Sequence, residues 1–526
     1  MRAKGMWGMA VLLGLLFAGG VGTAAAAEGV LVVARDLDIR TLDPQRQYEI
    51  TPPMIMRGAY ENLVTFEGTD YTKVVPFLAE KFEVGKEGLT YTFRLRPNVK
   101  FHTGNTMTAE DVRFSFERLR NLKDNPAWLM DEVKSVDAVD ERTVRITLTA
   151  PNAAFLSMLV SPNFAVADSK TVKAKGGTDA ADAKTADKAT EWLDQNSAGT
   201  GPFILTGWTR GVEVVLERNP NYWRKPAALS KVIVKQVPDP ATQRMMVGRG
   251  DIDVAQNLDA DLIESVKKEG KARVVEGNTM DIFYFAMTTS GGVHKELANR
   301  KVRQAIAYAI DYDGIIKSLM KGAAVRPPSV IPLGLLGADP ALALKRDVPK
   351  AKALMKEAGV EKGFGVKLVY GTGTWYGLSR DTLAQKIASD LGAIGVKVEL
   401  EPREVTAWRS DYRAGKLAMT IADWTPDFLD PHGWAVPFGV KGEAAAKRVH
   451  YDNPETSKQA QEAARITDPA KRATLYKQVQ KAMIEDAPFV NLIQPKTLIA
   501  VGPTVQGYVY NPVWGVDFYP ISKGAK

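Results

Sequence analysis

The stretch "VKLVYGTGTWYGLSRDTLAQKIASDLGAIGVKVEL", residues 366–400, contains the pattern that decides the fold class. Its two ends have the apolar alternation of short strands. Between them, apolar residues recur at helical spacing from Leu383 to Ile394, and a glycine follows as a stop signal. A strand, a helix and a strand in this order predict a β-α-β unit. Because parallel sheets bind ligands at the carboxyl ends of their strands, the loop at residues 371–377 is a candidate binding loop.

Similar patterns continue on both sides of this unit. Residues 82–95 alternate apolar and polar side chains around a glycine turn, which predicts a β-hairpin with one buried face, and residues 143–148 predict a further strand. An apolar stripe predicts a helix over residues 299–310, with Asn299 as its cap. Residues 173–190 have little to bury and predict a solvated helix or surface loop. We therefore expect an α/β fold.

The N-terminus has the features of a secretory signal. Arg2 and Lys4 precede an apolar run at residues 7–21, and small residues follow up to Ala27. This order predicts a signal peptide over residues 1–27. The alternative, a membrane anchor, is disfavoured because an apolar run of ~15 residues is shorter than the ~20 needed to span a bilayer. The chain has no cysteine to carry a lipid, so we expect a soluble periplasmic protein without a lipid anchor.

Length and composition indicate a globular protein without the concentrated positive charge of a nucleic-acid-binding protein. The 526 residues are 45% hydrophobic and 25% charged, and the chain is long enough for more than one domain or one large two-lobed body. Removing the signal leaves 67 basic and 61 acidic residues, since it contains two basic residues and no acidic one. The basic residues are interleaved with acidic ones, so we expect no nucleic-acid partner.

A glycine pattern in the candidate loop is the strongest hint of an enzyme. Gly371, Gly373 and Gly377 lie between a strand and a helix, as in a dinucleotide-binding fingerprint. The spacing is one residue longer than in that fingerprint, and Trp375 and Tyr376 would crowd the turn where the backbone approaches pyrophosphate. We therefore expect no cofactor.

Other catalytic and metal-binding motifs are absent from the sequence. No G-x-S-x-G elbow, P-loop or cysteine pair occurs. The histidines, which lack metal-ligand spacing, are His102, His294, His432 and His450. We expect no catalytic residue, no metal site and no enzyme activity. The alternative is an exported hydrolase or metal-dependent enzyme that uses Asp427, Asp430 and His432.

Five motifs in order resemble those of one protein family. They are "FHTGNTMTAEDVRFSFERL" at 101–119, "GTGPF" at 199–203, "NPNYW" at 219–223, "KVRQAIAYAID" at 301–311 and "KAKALMKEAG" at 350–359. Behind a signal peptide, they resemble the family 5 periplasmic solute-binding proteins that serve ATP-binding-cassette (ABC) importers of dipeptides, oligopeptides and nickel. The resemblance covers nearly the whole mature chain.

The resemblance implies a type II periplasmic-binding-protein fold, of the large cluster with an extra subdomain. The first lobe would comprise residues 28–285, with an inserted subdomain at about 71–198, and the second lobe residues 286–496. Residues 497–526 would return to the first lobe. Two chain crossings would then form a hinge, and a ligand would bind between the lobes.

The segment "IADWTPDFLDPHGWAVPF", residues 421–438, carries the ligand-binding pattern that the resemblance implies. Peptide-binding members have W-T-G-D after a strand of the second lobe, and its aspartate holds the α-amino group of the ligand. Trp424, Thr425 and Asp427 match this pattern, with Pro426 in place of glycine. Asp427 would pair with a ligand cation, or else cap a helix or accept from local backbone amides. The prolines indicate a segment too broken to be a helix.

Aromatic residues complete the implied site. Trp375 in the glycine-rich loop, Trp424 and Trp434 either pack against the ligand or belong to the core of a lobe. Tyr376 stands beside Trp375, and Tyr48 lies in a loop that aligns with a ligand-facing loop of the family. Dipeptide-binding members have a carboxylate-clamping arginine where this sequence has Thr-Trp-Tyr. Because that arginine is missing, an amine or quaternary nitrogen with an apolar body is as good a candidate ligand as a dipeptide.

These observations predict a monomeric periplasmic receptor that captures a small peptide-like or amine-bearing solute and delivers it to an inner-membrane ABC permease. The sequence leaves several ligand classes open: dipeptide, oligopeptide, opine, polyamine, glycoside or metal chelate. It also leaves open a role as a chemoreceptor partner or chaperone on the same fold.

Overall fold

The computed structural model describes residues 29–68 and 70–524. The signal peptide predicted for residues 1–27 lies outside the described residues. Within the two described ranges, no helix is both long enough and apolar enough to cross a bilayer.

The described residues form many short strands and helices in alternation. The strands are β1 (Val30–Arg35), β2 (Val64–Glu67), β3 (Asp70–Pro76), β4 (Ala79–Val84), β5 (Thr90–Leu95), β6 (Val133–Asp140), β7 (Thr143–Leu148), β8 (Phe203–Thr209), β9 (Glu213–Arg218), β10 (Lys231–Gln236), β11 (Val254–Ala255), β12 (Arg273–Asn278), β13 (Ile282–Met287), β14 (Ala324–Val325), β15 (Gly365–Gly371), β16 (Thr374–Trp375), β17 (Leu378–Ser379), β18 (Lys397–Arg403), β19 (Met419–Trp424), β20 (Phe489–Val501), β21 (Val505–Gln506), β22 (Tyr510–Asn511), β23 (Gly515–Val516) and β24 (Ser522–Lys523). The α-helices are α1 (Pro52–Ala59), α2 (Ala109–Leu122), α3 (Phe155–Met158), α4 (Ser169–Ala174), α5 (Ala183–Ala186), α6 (Thr190–Leu193), α7 (Pro240–Arg249), α8 (Ala260–Glu269), α9 (Arg300–Ala309), α10 (Tyr312–Gly314), α11 (Val348–Glu357), α12 (Arg380–Gly392), α13 (Val405–Arg413), α14 (His432–Gly439), α15 (Ala444–Arg448), α16 (Pro454–Arg465) and α17 (Pro469–Asp486).

One long sheet runs through the molecule. Its strand order is β18-β15-β19-β13-β20-β11-β1-β10-β9-β8, and β12 and β14 also pair with β20. Strand β20 pairs with β13 through its first residues and with β11 and β12 through its last, so it belongs to both halves of the sheet. We call the half that contains β1 and β8–β12 lobe I, and the half that contains β13, β15, β18 and β19 lobe II.

The chain passes between the lobes twice. The first passage is residues 279–281, between β12 of lobe I and β13 of lobe II, and the second lies within β20. The boundary predicted after residue 285 falls inside β13, all of whose residues pair with strands of lobe II or with the first part of β20. The structure thus places the passage slightly earlier in the chain than predicted.

The predicted β-α-β unit is confirmed in lobe II. Strands β15 and β18 pair in parallel from Gly365 with Lys397 to Gly371 with Arg403, and α12 connects them. Helix α9 is confirmed as well, and the side chain of Asn299 accepts a hydrogen bond from the Lys301 backbone as its cap. These elements pack around a shared cluster of buried apolar side chains on one face of the lobe II sheet.

A separate four-stranded antiparallel sheet of order β4-β5-β7-β6 lies within the insertion predicted at residues 71–198. The predicted hairpin is β4 and β5, and the further predicted strand is β7. Helix α2 contacts β6 and β7 and buries its apolar face against this sheet. Its N-terminus has a capping box, in which Thr108 and Asp111 satisfy the first backbone amides.

One expectation for this region is wrong in part. Residues 173–190 were expected to lie on the surface, but Ala183 and Ala189 are fully buried. Asp187 is buried too and pairs with the guanidinium of Arg118 at 2.8 Å, while Asp43 pairs with it at 2.6 Å. Composition does not indicate this contact, because the partner of Asp187 lies far away in the chain.

Candidate ligand-binding site

Two adjoining cavities lie in the crevice between the lobes. The larger has a volume of about 520 Å³ and is lined by Arg35 from lobe I, by Asp281 from the first passage and by Trp375 and Tyr376 from lobe II. The smaller, of about 160 Å³, is lined by Tyr48 and Asp427 among others. The residues that line both cavities are Ile50, Thr425, Pro512 and Val513. The larger volume is in the range of about 300–1,000 Å³ that is usual for small-molecule sites.

Asp427 contacts the opposite side of the crevice. The Tyr48 hydroxyl donates a hydrogen bond of 2.6 Å to its Oδ1 and accepts one of 3.1 Å from the Trp128 indole. Neither alternative from the sequence is seen, since Asp427 caps no helix and accepts from no backbone amide within the described ranges. The predicted residues Tyr48 and Asp427 therefore meet, although 379 positions separate them.

Burial changes the acid-base behaviour of this contact. Removal from water raises the pKa of Asp427, and the hydrogen bond from Tyr48 opposes this effect. Burial and the neighbouring carboxylate also raise the pKa of Tyr48, so the phenol stays protonated and acts as the donor. A half-buried carboxylate that no cation of residues 29–68 or 70–524 neutralises is suited to a cationic partner.

The glycine-rich loop forms a tight hairpin that reaches lobe I. Strands β16 and β17 pair through Thr374 with Ser379 and Trp375 with Leu378, which leaves Tyr376 and Gly377 as a two-residue turn. Both turn residues have positive φ, 51° and 77°, as a type I′ turn requires. A Cβ on Gly377 would lie 2.8 Å from the Cβ of Asp259 in lobe I, so the close contact across the crevice requires glycine.

This hairpin presents two aromatic side chains to the larger cavity. The ring of Trp375 lies 5.1 Å from that of Phe283 and 5.5 Å from that of Tyr376, with both tryptophan and tyrosine half-buried. The Tyr376 hydroxyl donates a hydrogen bond of 2.5 Å to Asp281. Trp375 and Tyr376 therefore form part of the cavity wall.

Asp281 is a site residue that the sequence did not reveal. It lies in the first passage between the lobes and is only 6% exposed. Burial raises its pKa from 3.8 to about 6, the carboxylate of Asp423 adds to this rise, and hydrogen bonds from Tyr376 and Thr425 oppose it. A single aspartate in a passage between two strands has no pattern by which sequence could identify it.

Arg35 was also missed. It is the last residue of β1, which pairs in parallel with β10 and β11, and its guanidinium lines the larger cavity. The sequence signal was present in principle, because Arg35 is a charged residue directly after an apolar run at a strand's carboxyl end. The resemblance directs attention to residues 374–376 of lobe II, where the family has its arginine, and not to lobe I.

The remaining predicted tryptophans are part of the lobe core and line neither cavity. Trp434 is fully buried, and the Trp424 indole donates to the Gly433 carbonyl at 3.0 Å while its ring packs on Phe438. The expectation of no helix in this segment is wrong, because His432–Gly439 forms α14, with Pro437 inside it. The helix withdraws Trp434 into the core rather than presenting it to the crevice.

Asp430 and His432, which the alternative enzyme hypothesis would use, have structural roles. Asp430 forms a bidentate pair with Arg472 at 2.6 and 3.0 Å, and it accepts the His432 backbone amide at 2.9 Å. Burial lowers the pKa of His432, and its Nδ1 has no hydrogen-bond partner in the described part of the chain. Over the same residues, no group of three acidic or histidine side chains is placed to hold a metal ion.

A cavity of about 800 Å³ on lobe I is larger than those in the crevice but contains none of the predicted site residues. Arginine and aromatic side chains stack in its wall. The Arg57 guanidinium lies 4.5 Å from the Trp514 ring centre, and that of Arg224 lies 4.8 Å from the Tyr519 ring centre. Arg57 is paired with Asp517 at 2.9 Å.

Comparison with known proteins supports the resemblance found in the motifs. A family model described as bacterial extracellular solute-binding proteins, family 5, matches residues 73–446, which is more than half of the chain. A probable D,D-dipeptide-binding periplasmic protein of Escherichia coli is 31% identical over 503 residues, which cover 94% of each chain.

Solved structures agree with the fold. The structure of HbpA2 from Haemophilus parasuis has a TM-score of 0.84 at 27% identity and covers 94% of this chain and 100% of its own. The periplasmic binding protein DppA from Helicobacter pylori, an ABC-transporter-associated protein in complex with the peptide STSA, has a TM-score of 0.76 at 26% identity. That comparison covers 94% of this chain and 98% of the other.

Proposed function

The chain belongs to the bacterial extracellular solute-binding proteins of family 5, and from this membership we propose that it captures a small peptide-like or amine-bearing solute between its lobes. Proteins of this family bind substrates for ABC importers in the periplasm and are not enzymes. The ligand class proposed here rests on the charge and shape of the crevice and on relatives named for binding dipeptides.

The observation that carries the proposal is the contact between Tyr48 and Asp427. It joins the two sides of the crevice through a half-buried carboxylate whose pKa is raised by burial. A buried carboxylate costs several kcal/mol of desolvation unless a cation or several donors meet it. Tyr48 supplies a single donor, so the ammonium group of a ligand would add the charge that the site lacks.

Ligand binding would favour closure because the ligand would touch both lobes at once. A ligand shifts a conformational equilibrium only through contacts that differ between the two states. Asp427, Thr425, Trp375 and Tyr376 would contact it from lobe II, and Tyr48 from the loop after β1. Micromolar affinity corresponds to about −8 kcal/mol, which an aromatic wall and one desolvated ion pair can provide.

Cellular placement follows from the N-terminal sequence and from the relatives. We propose that residues 1–27 are a cleaved signal peptide, that no lipid anchor is attached and that the mature protein works as a monomer. Its partner would be an inner-membrane ABC permease, to which the closed, loaded form is delivered.

Mass spectrometry of small molecules that co-purify with the protein tests the proposal first. Binding of each identified solute is then measured by calorimetry to the wild type and to Asp427→Asn. Asparagine keeps the acceptor for Tyr48 and removes only the charge, so an amine-bearing ligand should bind at least about tenfold more weakly. The matched control is Asp313→Asn, since the Asp313 side chain is 81% exposed in lobe II and lines neither cavity.

Equal affinity of the wild type and Asp427→Asn would remove Asp427 from the site. Turnover of a bound solute would instead support the rival hypothesis of an exported enzyme. Retention of a metal ion through dialysis, with its loss in His432→Ala, would do the same.

A further inference from the structure

Arg35 lies at the carboxyl end of a strand, which is where parallel sheets bind their ligands. It ends β1, and both neighbours of β1 run parallel to it, with Arg35 beside Gln236 of β10 and Ala34 beside Ala255 of β11. The carboxyl ends of these strands open into the larger cavity, whose wall includes Arg35, Gln256 and Tyr510. Arg35 therefore lines the crevice.

The Arg35 guanidinium lacks a carboxylate partner. Its Nε donates to the Asp36 carbonyl at 3.2 Å and one terminal nitrogen donates to the Gln256 side chain at 3.4 Å, and it forms no ion pair with residues 29–68 or 70–524. Asp36 and Asp38 are acidic residues whose charges act on Arg35. Asp38 accepts from the backbone amides of Ile50 and Thr51 at 2.9 Å, and Asp36 accepts from a glutamine side chain at 2.9 Å.

Other buried arginines of this chain are satisfied differently. Arg118 has two aspartates in bidentate contact, and Arg472 has Asp430 in bidentate contact. In both cases the charge of the arginine is paired with aspartate within the fold. Arg35 is half-buried, and its partial removal from water lowers its pKa although Asp38 and the nearby phenols oppose the shift, but no carboxylate pairs with it within the described residues. The difference indicates that its partner comes from outside the chain.

Phenol groups from both lobes lie near Arg35. Tyr376 belongs to the lobe II hairpin, and Tyr508 and Tyr510 belong to the C-terminal return to lobe I; all three lie close enough to interact with the charge of Arg35. The Tyr510 hydroxyl has no hydrogen-bond partner among the residues that the structure describes. A planar oxyanion at this point would meet a bidentate guanidinium and at least one further donor.

We infer that Arg35 binds the carboxylate of the ligand, and that the cleft therefore takes a zwitterionic solute whose ammonium group lies towards Asp427. This inference rests on the proposed capture of a peptide-like solute and narrows its ligand class. Arg35 of lobe I would then take the place of the carboxylate-binding arginine that is missing at residues 374–376. The two cavities adjoin at Ile50 and Thr425, so one solute can extend between Arg35 and Asp427.

Paired probes test the inference without altering the protein. The probes are L-alanyl-L-alanine, D-alanyl-D-alanine and methionyl-leucine, each as the free acid and as the C-terminal amide, with affinities measured by calorimetry. We expect the wild type to bind the acid of at least one pair at least about tenfold more tightly than its amide. Alanyl-glutamate amide distinguishes the source of the carboxylate, since it regains affinity only if a side-chain carboxylate is accepted.

Variants then assign the effect to Arg35. In Arg35→Gln the preference for acid over amide should fall below about threefold, and Arg35→Lys should keep part of it, because lysine retains the charge without the planar fork. Arg249→Gln is the matched control, since Arg249 is exposed in lobe I and lines neither cavity. Equal unfolding midpoints of the variants confirm that each one folds.

The outcomes separate the inference from the proposed function. If the wild type binds acid and amide equally, or if Arg35→Gln keeps the full preference, Arg35 is not the carboxylate partner, while peptide capture stands. If neither form of any probe binds to the wild type, the capture of small peptides and the role of Arg35 in it are both refuted.

Discussion

Asp281 should make the free energy of unfolding depend on pH, and this dependence can be measured without a ligand. Its side chain is 6% exposed, and burial raises its pKa from 3.8 to about 6. Because the pKa is higher in the folded state, the native chain holds this proton more tightly than the unfolded chain does. The resulting stabilisation is fully present below pH about 4 and is lost as pH rises through about 6.

The size of the effect follows from the shift. Each pKa unit corresponds to about 1.4 kcal/mol, so the rise at Asp281 is worth about 3 kcal/mol of unfolding free energy. Asp281→Asn removes the titration and keeps an oxygen that can accept from the Tyr376 hydroxyl. The variant should therefore gain stability relative to the wild type as pH rises from 4 to 7, and the gain should level off above pH 7.

Equilibrium unfolding in urea, repeated at pH 4, 5, 6, 7 and 8, measures this difference. Only the difference between variant and wild type is informative, because the other carboxyl groups titrate in both proteins and cancel. Asp313→Asn is the control, since its side chain is 81% exposed and its difference from the wild type should stay flat. A flat difference for Asp281→Asn as well would refute the reasoning, because Asp281 would then titrate alike in the folded and unfolded chains.

Two further predictions concern closure and stability. Tyr48→Phe removes the hydrogen bond to Asp427, which is worth about 1 kcal/mol. Ligand affinity should therefore fall about fivefold, and small-angle scattering should show a larger mean radius of gyration. If radius and affinity are both unchanged, this hydrogen bond does not contribute to closure. Arg118→Met removes the bidentate partner of the buried Asp43 and Asp187 and leaves them only the longer contacts with Arg46, at 3.7 and 3.6 Å. It should lower the unfolding free energy in urea by about 3–5 kcal/mol. A loss below about 1 kcal/mol would mean that Arg46, water or relaxation replaces Arg118.

Much of the fold could be predicted because its local patterns agree with its topology. In residues 366–400 the strand, helix and strand periods each predict the element that forms, and the parallel pairing follows from the connection between them. Asn299 likewise caps the helix it was expected to cap. Predictions failed where a distant contact decides the outcome: Asp187 is buried because Arg118, 69 positions earlier, requires a partner.

The site was only partly predictable for the same reason. Trp375 and Tyr376 reach the cavity because a glycine-rich loop at a strand's end forms a turn there. Trp434 was ambiguous because a helical segment with an internal proline does not show in the sequence which side chains face the core. Arg35 and Asp281 are single charged residues without a repeating pattern. Only the folded structure shows that both line the cavity between the lobes.

The charges of the crevice are divided between the lobes in a way that connects binding to closure. Arg35 contributes a half-buried positive charge from lobe I, whereas Asp427 contributes an acidic group from lobe II and Asp281 one from the passage that leads into it. Each group is costly to bury alone, because burial shifts the pKa of each towards its neutral form. A zwitterion can meet charges of both signs only when the lobes stand close together. Its contacts are then stronger in the closed form than in the open one, which is the condition for a ligand to shift the equilibrium.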